Sequence, residues 1–164
     1  MFLFKVISGG QTGADQVGLK AAYEFGYEYG GFAPTDFLTS EGPNRQLLGK
    51  KYGLIEWGHG YHERTIQNVK SSDGTIRLAV DFTSPGEILT LKSIRKYNKP
   101  YIDVDLDDPI PVLRLYDWLL EHNIKVLNVA GNTEGKNGKS IFNLSYQYLF
   151  ELFMLIKQKV KENQ

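Results

Sequence analysis

Cysteine is absent from the 164 residues. That removes disulfides, thiol nucleophiles and thiolate metal sites, and it fits a reducing compartment such as the cytoplasm. Net charge is absent too, because 19 Lys and Arg balance 19 Asp and Glu. No overall field exists to gather a polyanion, so nucleic acid is an unsupported partner. No apolar run approaches the roughly 20 residues that cross a bilayer, so no membrane role is expected. The apolar stretch Met1 to Ile7 ends at Gly9-Gly10, too soon for a secretory leader. Low-complexity tracts are missing as well, and 41% hydrophobic with 23% charged residues is an ordinary globular balance. Residues 1–164 therefore read as one domain, long enough to bury roughly 70% of its unfolded surface without covalent staples.

What is present is glycine, placed where strands give way to helices. The continuous apolar run Leu3 to Ser8 reads as a central strand covered on both faces. It feeds Ser8-Gly9-Gly10-Gln11-Thr12-Gly13-Ala14-Asp15. Bare backbone at the glycines and the positive end of a following helix make this stretch a candidate phosphate cradle; a plain glycine turn is the other reading. From Ala14 to Phe25, Val17, Ala21 and Phe25 recur every fourth residue, and Gly26 stops the helix.

Tyr29 to Ala33 is a second short strand. Residues 34–60 show no sustained period beyond a helical candidate around Arg45 to Lys50, and a loop of this length suits a lid over a ligand. A helix over His62 to Ser72 would put Arg64 and Asn68 side by side, a guanidinium and an amide suited to phosphate or carboxylate. Thr75 to Val80 is the third strand. Phe82 to Glu87 is a second strand-to-helix loop, and the helix from Pro85 or Gly86 is expected to bury Ile88, Leu91 and Ile94 or Arg95. Tyr101 to Val104 is a fourth strand. Asp108 and Pro109 read as N-cap and first residue of a helix whose apolar face is Val112, Leu113, Tyr116, Leu119 and Leu120. Lys125 to Ala130 is the fifth strand, Gly131 to Lys139 a third glycine-rich loop, and Ser140 caps a long helix over 141–160.

Strand and helix alternate throughout, which implies a Rossmann-like α/β fold, doubly wound, with a mainly parallel sheet flanked by helices. Its ligands bind beyond the carboxyl ends of the strands, where the three glycine loops leave. The expected ligand-binding residues are Ser8, Gly9, Gly10, Gln11, Thr12, Gly13 and Asp15 of the first loop, with Arg64 and Asn68. Pro85, Gly86 and Glu87 of the second loop and Gly131 of the third complete the set. Leu149 to Ile156 is apolar on nearly all sides, more than one sheet face absorbs, and this predicts a homodimer through the last helix, with Phe153 as the residue to test.

Several familiar constellations fail on spacing. Gly138-Lys139-Ser140 would need the first P-loop glycine at Thr133, and the first loop has neither a P-loop lysine nor a G-x-G-x-x-G. Asp103, Asp105, Asp107 and Asp108 lack the glycine and glutamate of a calcium loop. His59 and His62 do not form the helical His-Glu-x-x-His order, so no metal is expected there.

The ordered motifs Ile7 to Asp15, Gly31-Phe32-Ala33-Pro34 with Glu41-Gly42-Pro43, Arg64 to Val69, Ser72 to Thr75 and Leu127 to Gly131 together resemble the family of "putative molybdenum carrier" proteins. That family sits in a Rossmann-like superfamily with LOG-type nucleotide phosphoribohydrolases and the DNA-processing protein A domain. The resemblance implies dimers and a pocket at the first glycine loop for a phosphate-bearing ligand, either a nucleotide or the pterin of the molybdenum cofactor. Against the phosphoribohydrolases, Thr90 stands where their glutamate is expected, which leaves Glu87 as the one catalytic candidate. Asn132-Thr133-Glu134 replaces a more usual proline-arginine-glutamate run. Three functions follow as alternatives: a carrier for a nucleotide or pterin, a nucleotide N-glycosidic hydrolase, and a non-catalytic interaction module.

Overall fold

The computed structural model describes residues 5–164, so Leu3 and Phe4, expected to open the first strand, lie outside the described residues. In chain order the elements are β1 (Lys5–Ile7), α1 (Ala14–Phe25), β2 (Glu28–Gly30), β3 (Phe32–Ala33), β4 (Leu38–Thr39), β5 (Gly42–Pro43) and β6 (Ile55–Glu56). They continue with α2 (Tyr61–Lys70), β7 (Gly74–Ala79), α3 (Pro85–Lys96), β8 (Tyr101–Asp105), α4 (Val112–Glu121), β9 (Val126–Gly131) and α5 (Ile141–Glu162).

Five strands form one sheet in the order β2-β1-β9-β7-β8, and all its pairings are parallel. Parallel strands need crossovers, and right-handed crossovers decide which face each helix covers. The chain steps outward from β1 to β2 in one direction and from β7 to β8 in the other, so α1 and α3 fall on opposite faces. By the same rule α4 joins α1, and α2 joins α3. The packing agrees: α5 lies against both α1 and α4, while α2 lies against α3. The doubly wound α/β expectation holds.

The main core lies under α1, α4 and α5. Ile76, Leu78, Leu115, Leu119, Leu127 and Phe153 are fully enclosed there, each contributing about 1.5–3 kcal/mol through burial. Leu149, Leu152 and Ile156 of α5 are buried with them, so much of the apolar surface of that helix is absorbed by its own domain.

Three local expectations are corrected. The helix predicted from Asp108-Pro109 begins only at Val112, after Pro111. A residue preceding proline is disfavoured in the helical region, so Ile110 cannot carry a helix from Pro109 through Pro111. Its buried side is Leu115, Tyr116, Trp118 and Leu119, whereas Leu113 and Leu120 are exposed; Trp118 turns inward because glycine at position 74 leaves room for its ring. In α3, Ile88 is exposed and the buried residues are Glu87, Thr90, Ser93 and Ile94. Finally, 34–60, expected to show no sustained period, is a packed layer of short elements. β3 pairs with β6, β4 with β5, and a π-helical segment covers Arg45–Lys51. Ala33, Phe37, Leu48, Tyr52 and Leu54 close over Leu19 of α1 in a second core cluster.

Candidate functional site

β1, β9 and β7 are neighbours at the centre of the sheet, so the loops leaving their carboxyl ends meet. A cleft of about 560 Å³ lies there. α2 walls it with Tyr61, His62, Arg64, Thr65 and Asn68, the first turns of α3 face it with Ser84 to Glu87, Leu89 and Thr90, and Asn128 to Ala130 of β9 form its floor. Among the residues expected from sequence, Gly9, Gln11, Asp15, Arg64, Asn68, Pro85, Gly86, Glu87 and Gly131 line this cleft. Ser8, Gly10, Thr12 and Gly13 are not in its lining, and neither is any residue of 34–60.

The first glycine loop folds around an anion of its own. Ser8 Oγ donates to the Asp15 carbonyl at 2.8 Å and accepts the Gly10 N–H at 3.3 Å. The Gln11 N–H donates to Asp15 Oδ2 at 3.1 Å, and the Thr12 N–H donates to Gln11 Oε1 at 2.9 Å. Three backbone donors that a phosphate cradle would offer are therefore already engaged. Asp15 stands in the first turn of α1, where the helix dipole favours a carboxylate. Gln11 and Thr12 also hold the 34–60 layer: Gln11 Oε1 accepts the Ser40 N–H at 2.8 Å, and the Thr12 and Ser40 hydroxyls are 2.6 Å apart.

Arg64 Nη1 donates to Asp15 Oδ2 at 3.0 Å, with 12% and 6% of the two side chains exposed. The guanidinium lies directly over Gly9. A Cβ at position 9 would come within 1.6 Å of Nη1, so glycine is needed for this approach. Among the described residues, Arg64 Nε is buried without a partner and Nη2 makes no hydrogen bond. Burial pushes the Asp15 carboxyl above its ordinary value, with Arg64 and the Gln11 N–H acting against that rise. Asn68 is buried beside Arg64 on α2, but its amide is committed: Oδ1 accepts the Phe32 N–H at 3.0 Å and Nδ2 donates to the Phe32 carbonyl at 2.9 Å. It clamps β3 to α2.

Opposite stands Glu87, in the first turn of α3 after Ser84 as N-cap and Pro85 as first residue. Ser84 Oγ and Asn132 Nδ2 both donate to Glu87 Oε2, the latter at 2.9 Å. Burial raises the Glu87 carboxyl, these two donors lower it, and the Asp15 charge raises it again. Asn132 ties the loops together, because its Oδ1 accepts the Val80 and Asp81 N–H groups and its Nδ2 also donates to the Asp81 carbonyl. Beneath α3, Arg77 makes a two-pronged pair with Asp103 at 2.7 and 2.6 Å and donates to the Glu87 carbonyl at 3.0 Å, which fixes this turn. Asn132, Ser84 and Thr90 were not expected as site residues. Their one signal was position, on the loops and helix that leave β7 and β9.

Gly131 has φ 154°, and a Cβ there would meet the Leu78 carbonyl oxygen at 1.9 Å, so glycine lets β9 leave the sheet beside β7. Among the described residues no group of three or more His, Asp or Glu is placed to hold a metal, and no helix is long and apolar enough to cross a membrane.

A model of the circularly permutated YpsA SLOG family matches residues 6–153. The crystal structure of a "putative molybdenum carrier protein" from Syntrophus aciditrophicus SB superposes with a TM-score of 0.81 at 33% identity, over 93% of this chain and 95% of that one. No curated protein matches the chain. By sequence over most of its length and by fold, the chain belongs to the circularly permutated YpsA SLOG family.

Proposed function

We propose that this is a cytoplasmic binding protein for a phosphate-bearing small molecule, a nucleotide or a pterin, held in the cleft between α2 and α3. One observation carries the reading. At the meeting point of three strand-to-helix loops, Arg64 is anchored through Nη1 and keeps Nη2 without a partner among the described residues. The first turn of α3 supplies the positive end of a helix on the opposite wall. The phosphate position thus moves from the glycine loop, which Asp15 occupies, to the space between Arg64 and Gly86. The glycine loop serves by letting Arg64 lie flat over Gly9.

The solved neighbour is named for molybdenum carriage, and a phosphate-bearing pterin suits Arg64 as well as a nucleotide does. The test is thermal stabilisation by a panel of nucleotides and pterin phosphates. The protein gains stability with a member of the panel, and Gly9→Ala, whose new methyl displaces the guanidinium, stays folded but loses most of that gain. A Gly9→Ala protein stabilised as well as the parent overturns the reading.

A second reading rests on Glu87. A carboxyl that burial raises above its ordinary value, with both protein donors on Oε2, is suited to act as a general acid. In N-glycosidic hydrolysis its proton would pass to the leaving nitrogen as the C–N bond breaks; water would then add to the anomeric carbon and return a proton to Glu87. Base release from a nucleotide panel, abolished by Glu87→Gln, is the expected result. No release by concentrated protein removes this reading.

Self-association belongs to the proposal as well, through a narrower face of α5 than the sequence implied. Phe150 and Met154 are 41% and 48% exposed, whereas Phe153 is fully buried. An antiparallel copy centred on Met154 would set Glu151 of each chain opposite Lys157 of the other, a self-complementary pairing of the kind a two-fold dimer requires.

A further inference from the structure

The charged side chains of the cleft do not balance. Arg64 and Lys136 line it, and each already has a carboxylate: Arg64 pairs with Asp15 at 3.0 Å and Lys136 with Asp81 at 3.3 Å. Glu87 is left over. It lines the same cleft with 4% of its surface exposed, and among the described residues its carboxylate forms no ion pair. Arg77, the cation beneath it, is spent on Asp103 and reaches only the Glu87 backbone carbonyl.

Glu87 also stands where an anion would go. It belongs to the first turn of α3, and a carboxylate there already answers the positive end of that helix. A doubly charged group between Arg64 and Gly86 adds like charge beside a nearly enclosed carboxylate, where repulsion is screened least. The neutral acid removes that repulsion, and the site lets Glu87 become neutral without losing its place. Ser84 Oγ and Asn132 Nδ2 both donate to Oε2, while Oε1 accepts no hydrogen bond among the described residues. Oε1 can therefore carry a proton with both hydrogen bonds to Oε2 intact.

We propose that anion binding in this cleft is proton-coupled: a proton passes from solvent to Glu87 Oε1 as the anion enters, so the cleft loads as pH falls and releases as pH rises. This rests on the reading that a phosphate-bearing molecule sits between Arg64 and α3. The other charged or titratable groups around Glu87 are Asp15 from α1, His62 and Arg64 from α2, and Arg77 from β7 with Asp103 from β8. Asp81 and Lys136 stand on the loops after β7 and β9, and β9 itself carries no charge. Burial raises the Glu87 carboxyl above its ordinary value, Ser84 and Asn132 act against this, and the Asp15 charge adds to the rise. A bound anion acts in the same direction as Asp15.

The experiment is calorimetric titration of the full chain with sodium sulfate at constant ionic strength, from about pH 5 to about pH 8. Sulfate keeps its double charge over that range, whereas phosphate titrates within it, so a proton taken up belongs to the protein. In paired buffers of different ionisation heat, uptake should approach about one proton per sulfate, and affinity should fall by up to about tenfold per pH unit before levelling off. Glu87→Gln keeps an oxygen for Ser84 and Asn132 and cannot ionise. It should bind sulfate without uptake and, at the alkaline end, more tightly than the parent, whereas loss of a merely structural residue would weaken binding. Asp15→Asn should keep the uptake. Sulfate binding by the parent without uptake overturns the inference, as does uptake that survives in Glu87→Gln or vanishes in Asp15→Asn; all three leave the anion site standing. Failure of sulfate to bind at any pH overturns both the inference and the reading beneath it.

Discussion

Arg64 Nη1 and Asp15 Oδ2 stand 3.0 Å apart across Gly9, joining the first turn of α2 to the first turn of α1 inside the cleft. Both side chains are largely enclosed, so the pair has given up most of its hydration, and its value lies in mutual compensation. Removing one partner leaves a buried charge with nothing opposite.

The first prediction concerns that compensation. Arg64→Met should cost about 3–5 kcal/mol in urea unfolding at neutral pH, the usual penalty for breaking a buried pair. Asp15→Asn in the same chain should recover much of it, because the asparagine oxygen still accepts the Gln11 N–H without a charge to bury. Additive losses in the double-mutant cycle would show that the two side chains do not act together.

The second prediction is a pH dependence with a defined sign. The folded Glu87 pKa is raised above its ordinary 4.5, chiefly by burial. A raised carboxylic acid binds its proton more tightly in the folded chain, so its contribution to stability is fully present below about 4.5 and is lost as pH rises through the folded value. Glu87→Gln keeps an oxygen for Ser84 and Asn132 but cannot ionise. The stability of the parent relative to this variant should therefore be greatest in acid, fall through the range above 4.5 and then level off. A difference that grows with pH would mean that Glu87 is held as a carboxylate.

Asn132 carries the third prediction. Its side chain serves Val80, Asp81 and Glu87 with four hydrogen bonds of 2.8 to 3.0 Å. Asn132→Ala strands two N–H groups and a carbonyl at about 1–3 kcal/mol for each group left unsatisfied. Asn132→Asp keeps both acceptances but faces Glu87 with a second carboxylate, which should raise the Glu87 pKa further. The fall in relative stability described for Glu87 should then shift to higher pH.

The sheet, its parallel sense and the convergence of three loops were legible because buried strands leave continuous apolar runs and glycines mark the turns. Polar residues at the site were less legible. The inward side of α3 was sought among Ile88 and Leu91, yet Glu87 and Thr90 point inward because they wall a cleft and not a core. Asn68 was paired with Arg64 correctly by helical spacing, but nothing local announced that Phe32, 36 residues earlier, would take both ends of its amide. The anion in the glycine loop was visible in sequence as Asp15. That it would turn back onto the Gln11 N–H depended on Arg64, 49 residues away. Partners at such separations are set by the fold.

The last prediction separates core from contact face on adjacent residues of α5. Phe153 is fully enclosed, with its ring 5.1 Å from that of Tyr27 and 5.6 Å from that of Phe25. Phe153→Ala should lower stability by about 3–5 kcal/mol through lost burial and the cavity left behind. Met154 is 48% exposed, so Met154→Asp should leave unfolding nearly unchanged when measured on the monomer. If two copies meet along this face, however, it places like charges at the centre of their contact and should convert a dimer into a monomer in sedimentation or gel filtration. Because Glu151 opposes Lys157 in that pairing, Lys157→Glu should weaken the dimer, and Glu151→Lys added to it should restore it. Restoration by charge exchange is something a merely sticky apolar patch would not produce, and its failure would place the contact elsewhere.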